Sequence, residues 1–387
     1  MGKIWKVGVI GCGNISDIYV SNIQTYFKNL EIVACAARHI ENAQKMAEKY
    51  GIEKAVSVDE LLADESIEMV LNLTVPKAHY EINKKALLSG KHVYCEKPFA
   101  GSMEEIEELV KLAGEKNLRV GCAPDTWLGT SLQTCKHMIE SGKLGQIISV
   151  TVNLCHHGVE TWHPSPYFYY ENGGGPVLDM GPYYFTALVN LLGPIESVYA
   201  LSSMPMTQRP ALCNPNMGEM IPVEIDTSYC GMMKFKSGAI GTMQMSFDIW
   251  QSDLPMFEIH GTKGVMSVPD PNWFDGEIKL LLQDERIDQL AQMDKEQRIE
   301  TIPQIQEWFT VSEADKIYTS PTNNMRGLGL WDMADSIEKG KLHQTHPDLI
   351  LHVMEVLFKL NEGERNKEPQ IHHSFTPGEV MIPEVLK

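Results

Sequence analysis

Residues 6–16, Lys6-Val7-Gly8-Val9-Ile10-Gly11-Cys12-Gly13-Asn14-Ile15-Ser16, run from an apolar stretch through two closely spaced glycines into an amphipathic segment. Read as strand, tight turn and helix, the spacing G-x-G-x-x-S predicts a junction built to receive a pyrophosphate. Gly11 permits the turn, and Gly13 leaves room for the backbone to approach phosphate. Asn14 and Ile15 complete the turn, and the small Ser16 lets the helix pack close to the sheet. The helix N-terminus then offers N–H donors and a positive dipole to an anion. Serine stands where such turns usually carry glycine or alanine. A purely structural turn can share this spacing, so the surroundings decide.

Outward from that turn, short apolar strands alternate with amphipathic helices. Strands are expected at 6–11, 32–37, 69–74, 92–95 and 119–122, and helices at 16–26, 41–50, 78–89 and 103–116. Ser102 and Glu105 read as a capping box, with Ile106, Leu109, Val110 and Ala113 on one apolar face. Such alternation predicts βαβ units and right-handed crossovers, hence an α/β Rossmann domain with a doubly wound parallel sheet over residues 1–124. Beyond residue 124 the grammar changes. A helix at 131–141 leads to a strand at 146–155, an aromatic loop at 158–175 and a helix at 177–192. Strands follow at 198–203, 227–235, 239–247, 256–260 and 265–268, two of them joined by Lys236-Ser237-Gly238. Residues 125–387 therefore read as an α+β domain with a mostly antiparallel sheet. Segments 205–222 and 283–325 read as insertions, and helices are expected at 330–338 and 349–361.

The chain has 387 residues, enough for two or three domains at ~150 residues each. With 43% hydrophobic and 22% charged residues, the composition excludes disorder, collagen and coiled coil. A formal charge of −18 without a basic cluster argues against nucleic-acid and membrane-surface partners. No apolar run reaches the ~18–20 residues of a membrane span, and the N-terminus does not resemble a signal peptide. The eight cysteines are scattered without a C-x-x-C pair, as expected of free thiols in a reduced, cytoplasmic protein.

The second strand ends in Ala36-Ala37-Arg38-His39, with no carboxylate to hold a ribose 2′-hydroxyl. Arg38 could instead grip a 2′-phosphate, which favours NADP over NAD. The competing reading makes Arg38 a solvated loop residue.

Two further stretches, Thr74-Val75-Pro76-Lys77-Ala78-His79 with Gly90-Lys91-His92-Val93-Tyr94-Cys95-Glu96-Lys97-Pro98, and Gly173-Gly174-Gly175-Pro176-Val177-Leu178-Asp179-Met180-Gly181-Pro182-Tyr183, join the first turn in a recognisable order. Together they resemble the Gfo/Idh/MocA family of glucose–fructose oxidoreductase, inositol dehydrogenase and related sugar dehydrogenases. The likeness extends to the RGLGLWDM stretch from residue 326 and the helix at 349–361. It implies a Rossmann domain followed by a large open-faced sheet, a substrate between the two, and a homo-oligomer (dimer or tetramer) formed through that sheet. By the same likeness Thr74, Pro76 and His79 border the cofactor. Glu96 either faces the cofactor or caps its strand.

Oxidising a secondary hydroxyl requires a base and a cation that steadies developing alkoxide charge. Lys97 follows the strand at 92–95, at the sheet edge where ligands of such folds bind, and is the expected cation and substrate ligand. The sequence has tyrosine where inositol-dehydrogenase-like members carry histidine, which is similar to the glucose–fructose oxidoreductase and dihydrodiol dehydrogenase branches. Tyr183 is accordingly the expected acid/base, its phenol lowered by Lys97, with Asp179 orienting Lys97 or a sugar hydroxyl. Tyr184 and His163 are the alternatives for proton transfer. Asp125 and Trp127, with His156-His157 and Thr161-Trp162-His163-Pro164, offer the mixture of aromatic faces and hydrogen-bonding groups that suits a polyol. The histidine spacing fits no metal site. The expected function is hydride transfer between NAD(P) and a secondary hydroxyl of a sugar, glycoside or cyclitol. A redox-assisted glycosidase and a non-catalytic nucleotide or sugar sensor are the alternatives.

Overall fold

The computed structural model describes residues 2–386. The first six strands form one parallel sheet: β1 (Trp5–Ile10), β2 (Leu30–Ala36), β3 (Lys54–Val56), β4 (Met69–Asn72), β5 (His92–Cys95) and β6 (Val120–Cys122), in the spatial order β3-β2-β1-β4-β5-β6. The order reverses direction beside β1, so the crevice at the carboxyl ends of β1 and β4 is where a doubly wound sheet takes its ligand. Helices α1 (Ser16–Tyr26), α2 (Ile40–Tyr50), α3 (Val58–Ala63), α4 (His79–Leu88) and α5 (Met103–Glu115) cover the two faces. Because both faces are covered, β1 and β4 read as continuous apolar runs rather than alternating ones. Strand β3 and helix α3 escape the sequence pattern because each is so short. A reciprocal capping box between Ser57 and Glu60 starts α3.

After α6 (Thr130–Glu140) the chain enters β7 (Ile147–Cys155), then α7 (Gly175–Asp179), α8 (Gly181–Leu192) and β8 (Ile195–Ser203). The single helix expected at 177–192 is two. The break falls at Met180, where Pro182 occupies the first turn of α8 and restarts the helix. It brings Asp179 to the end of one helix and Tyr183 to the start of the next. The insertion at 205–222 holds a small pair, β9 (Gln208–Pro210) with β10 (Met220–Pro222). Strands β11 (Ser228–Phe235), β12 (Ile240–Ser246), β13 (Phe257–Gly261), β14 (Gly264–Ser267), β15 (Lys279–Leu282) and β16 (Phe309–Thr310) complete an eight-stranded sheet, ordered β16-β15-β14-β13-β7-β12-β11-β8. Its neighbours are antiparallel except β7 with β12, which run parallel. Helix α9 (Lys295–Ile305) lies in the second insertion, and α10 (Leu328–Glu338) and α11 (Pro347–Asn361) follow.

One face of the larger sheet packs on helices α11 and α7, with α8 lying against α11. The opposite face leaves Tyr199, Leu201, Met232 and Ile240 exposed. The seam between the two sheets is closed from the far end of the chain. Asn22 of α1 donates to the carbonyls of Asn324 and Arg326, both at 2.9 Å. Asp125, just past β6, accepts from the backbone N–H groups of Gly327 and Gly329 at the start of α10.

Candidate functional site

At the first turn Gly11 has φ of +105°, and a Cβ there would stand 2.5 Å from the backbone of Leu73. Only glycine fits so close to the next strand. Gly13, by contrast, faces open space, with nothing within 4 Å of the Cβ it lacks. Helix α1 begins at Ser16 after Ile15, with no side chain capping its first N–H groups. An open cradle over an uncapped helix N-terminus fits a pyrophosphate, and Ile15 lines the adjoining recess. At the end of β2, Ala37 is half-buried and Arg38 is exposed, its Nε 3.4 Å from His39 Nε2.

The recess beside this turn is about 200 Å³ and is bordered by Thr74, Pro76, Glu96, Lys97, Asp179 and Tyr183. His79 does not border it. Its two ring nitrogens face the carbonyls of Pro98 and Thr74 at 2.6 and 2.9 Å, so this buried imidazole braces the two loops. Asn72 supports the same corner, accepting from both the backbone N–H and the hydroxyl of Thr74. Glu96 takes the hydroxyl of buried Tyr19 and the backbone N–H of Lys97, which ties the end of β5 to α1.

Lys97 reaches into the helix break. Its Nζ donates to the Asp179 carbonyl at 2.6 Å and to Asp179 Oδ1 at 2.8 Å, each side chain 15% exposed. Burial opposes the ammonium charge, but Asp179 and Tyr183 outweigh it and hold the Lys97 pKa above its ordinary value. The same Nζ lies 5.1 Å from the centre of the Tyr183 ring. Burial pushes the Tyr183 phenol up. Lys97 pulls it down, Glu96 pushes it up and Arg326 pulls it down, and the net direction is upward. The expectation that Lys97 brings this phenol below its usual value therefore fails, because loss of water around a phenolate costs more than one lysine returns. Tyr183 stands protonated, as a proton donor.

On the far side of Tyr183 a second cleft of about 700 Å³ opens between the sheets, and it shares Lys97, Tyr169, Asp179 and Tyr183 with the first recess. His156, His157, Trp162 and Trp250 line it, and Trp250 stacks on His157 with ring centres 3.5 Å apart. His163 packs edge-on against Trp162 and Tyr169, behind the residues that face the cleft. Tyr184 turns its hydroxyl to Met256 Sδ, 3.7 Å away. Asp125 and Trp127, expected to bind substrate, line neither recess. The short helical turn after β6 points both inward, where Asp125 is fully buried against α10 and Trp127 packs in the core.

Three polar residues of the cleft were not anticipated: Asp270, Asn272 and Arg326. The first two lie in a loop after β14 that has no local pattern. Arg326 opens the stretch that contributed to the family likeness, but no spacing ties it to residues so much earlier in the chain. Among the described residues no group of three or more histidine, cysteine or acidic side chains is arranged to hold a metal ion.

Comparison with known proteins agrees with this architecture. An uncharacterized oxidoreductase of Schizosaccharomyces pombe is 34% identical over 50% of this chain and 54% of its own length. A D-glucoside 3-dehydrogenase of Escherichia coli is 27% identical over 73% of this chain and 83% of its own. The chain thus spans about half the length of the first of these relatives. The structure of a levoglucosan dehydrogenase in complex with NADH and levoglucosan superposes with a TM-score of 0.78 at 20% identity, covering 96% of this chain and 100% of that one, and shares its fold. Residues 5–123 match the oxidoreductase family's NAD-binding Rossmann fold, and residues 132–267 match its C-terminal domain. The chain belongs to the Gfo/Idh/MocA family.

Proposed function

We propose that the protein is an NAD(P)-dependent dehydrogenase acting on a secondary hydroxyl of a sugar, glycoside or cyclitol. The observation that carries this reading is the sharing of Lys97, Asp179 and Tyr183 between the recess beside the glycine turn and the larger cleft. One recess suits a nicotinamide dinucleotide, the other a polyol; Tyr169 also borders both, and Lys97, Asp179 and Tyr183 are the shared residues that a hydride transfer needs where the two meet. In this division of labour residues 1–124 hold the nucleotide, and residues 125–387 supply the substrate wall.

A nicotinamide dinucleotide supplies the hydride acceptor or donor. Gly11, Gly13, Asn14, Ile15 and Ser16 would hold its pyrophosphate, and Thr74, Pro76 and Glu96 would border it. Arg38 and the absence of a carboxylate at the end of β2 favour NADP over NAD. Lys97 keeps one N–H free of Asp179 and gives it to the substrate oxygen, whose growing negative charge in oxidation it steadies. Asp179 fixes the direction of that ammonium. Tyr183 delivers the proton to a carbonyl oxygen in reduction and takes it back in oxidation. The indoles of Trp250 and Trp162 offer flat faces to the C–H faces of a sugar ring, and the Escherichia coli relative's name supports a glycoside among the substrates.

The exposed residues of the open sheet face, Tyr199, Leu201, Met232 and Ile240, support self-association through that face. No helix among the described residues is long and apolar enough to cross a membrane. The free state of all eight cysteines supports a reducing compartment such as the cytoplasm.

The experiment is a screen of monosaccharides, inositols and glycosides with each nicotinamide cofactor, read at the absorbance of the reduced form. Turnover of a polyol by the parent protein, abolished in Lys97→Met, is the expected result. Polyol turnover that survives Lys97→Met overturns the reading, as does the failure of every polyol in a preparation shown to bind the cofactor.

A further inference from the structure

Tyr183, in the first turn of α8, shares its cleft with two cations. Lys97 is one, but two of its three N–H groups are already committed to Asp179. Arg326 is the other, and it is situated differently. The residue is 8% exposed and lines the cleft together with Tyr183. Its guanidinium donates to two neutral amide oxygens, Asn324 Oδ1 at 3.0 Å and Asn272 Oδ1 at 3.3 Å. Among the described residues no carboxylate stands within ion-pair distance of it. Arg326 shares the wall of the cleft with Tyr183, and its charge acts on the Tyr183 hydroxyl, favouring the phenolate. A guanidinium withdrawn from water without a carboxylate within ion-pair distance holds strongly any anion that forms next to it. Of Tyr183, Tyr19 and Glu96, the groups its charge acts on most, Tyr183 is the one that lines the cleft with it.

We propose that Arg326 is a positioning residue for proton transfer at Tyr183, orienting the hydroxyl and holding the phenolate left when the proton has gone. This inference rests on Tyr183 being the acid/base group of the reaction proposed above. In the reducing direction the O–H bond of Tyr183 breaks and its proton passes to the carbonyl oxygen, while the carbonyl carbon takes the cofactor's hydride. The electron pair stays on the phenolate oxygen, beside the guanidinium, and water restores the proton. Oxidation runs the same transfer backwards. The two cations therefore divide the work: Lys97 serves the substrate oxygen and Arg326 serves the phenol.

The charged and titratable groups around Tyr183 are Lys97 and Glu96 after β5, Asp179 at the end of α7, Tyr169 in the aromatic loop and Arg326 before α10. Of these, Arg326 can be neutralised without touching the Lys97–Asp179 pair. The test uses protein labelled with fluorotyrosine, whose phenol is more acidic and so ionises at lower pH, with Tyr183→Phe identifying the resonance. No cofactor or sugar is needed. In Arg326→Gln the Tyr183 ionisation should move up by about one pH unit or more, and Arg326→Lys should recover at least half of that shift. In turnover, Arg326→Gln should lower kcat about 100-fold with KM nearly unchanged, and the pH dependence of kcat should move with the resonance. If Arg326→Gln does not fold, Asn272→Ala takes its place. It frees the guanidinium from one anchor and should shift the resonance upward by a smaller amount. A Tyr183 ionisation that stays at the parent's position in Arg326→Gln, or in Asn272→Ala where that variant stands in, overturns the proposal. So does a loss confined to KM and thermal stability. A shifted resonance in a protein that oxidises no polyol would refute the proposed function while leaving the Arg326–Tyr183 coupling intact.

Discussion

Arg209 Nη1 meets Glu160 Oε1 at 2.6 Å, with the two side chains 1% and 2% exposed. The same guanidinium donates to the Phe247 carbonyl and to Asp248 Oδ1, and Glu160 also takes the Tyr170 hydroxyl. A single arginine of the 205–222 insertion thus fastens the aromatic loop that walls the cleft to the end of β12. Replacing it with Met should leave two buried carboxylates without their partner, at a cost of about 3–5 kcal/mol. Denaturant unfolding measures that loss, and faster hydrogen exchange over residues 158–170 should accompany it. Unchanged exchange there would refute the fastening role.

On the proposed function, Lys97→Met should lower kcat/KM by about 10²–10⁴, since it removes the cation assigned there to the reacting oxygen. Reduced-cofactor binding, followed by fluorescence, should persist. Asp179→Asn keeps an acceptor for Lys97 but not the charge, so its loss should be smaller and should fall on kcat. Equal damage from both would mean that Asp179 itself contacts substrate.

The two glycines of the first turn should fail in different ways. Gly11→Val forces a side chain into the Leu73 backbone and should destabilise the fold. Gly13→Ala adds a Cβ with no protein atom within 4 Å, so thermal stability should hold while cofactor affinity falls at least about tenfold, because the methyl group enters the cradle. In the same binding assay Arg38→Ala should weaken NADPH more than NADH. Equal loss for both would remove the basis for the NADP preference.

Asp125 gives a pH signature. Burial, only partly offset by the Gly329 and Gly327 amides and Arg326, pushes its carboxyl up to about 6. An unfolded aspartate titrates near ~3.9, so between these values the native state keeps a proton that the unfolded state has lost. Stability from this group is therefore greatest below about pH 4 and is lost as pH rises through about 6. Asp125→Asn still accepts from both glycines and does not titrate. Relative to the parent it should gain up to ~3 kcal/mol between pH 4 and pH 7, measured by denaturant unfolding at each pH. A difference that is flat with pH would contradict the assignment.

What could be read from the sequence was whatever local spacing encodes. The glycine turn is consecutive, and its place at a strand–helix junction gives it meaning, so Gly11 to Ser16 and the parallel sheet were legible. Lys97, Asp179 and Tyr183 were found through stretches of ordered residues, and the helix break that joins them turns on one proline. Asp125 and Trp127 were misjudged because composition tells which groups could meet a sugar but not whether a short turn aims them inward. His79 was placed beside the cofactor by family likeness, which does not show that its ring is already taken by the carbonyls of Pro98 and Thr74. The direction of the Tyr183 shift was missed because the number of neighbouring charges can be guessed from sequence, whereas the depth of burial cannot. Arg326 and Asn272 were missed because only the folded chain brings them to the cleft.

The bond from Asn22 to the carbonyls of Asn324 and Arg326 has a consequence for dissecting the molecule. The helix that opens with the phosphate turn is the same one that suspends the strand of chain carrying the arginine of the cleft. The eight-stranded half is in this sense an insertion, entered after β6 and left just before α10 returns to cover the nucleotide half. Cutting the gene at residue 124 would strip Tyr94 of the cover that Gly329 gives it and separate α1 from the chain it supports. A fragment ending there should bind nucleotide poorly even with every residue of its turn intact, and activity lost on trimming the C-terminus would report a broken scaffold before it reported missing chemistry.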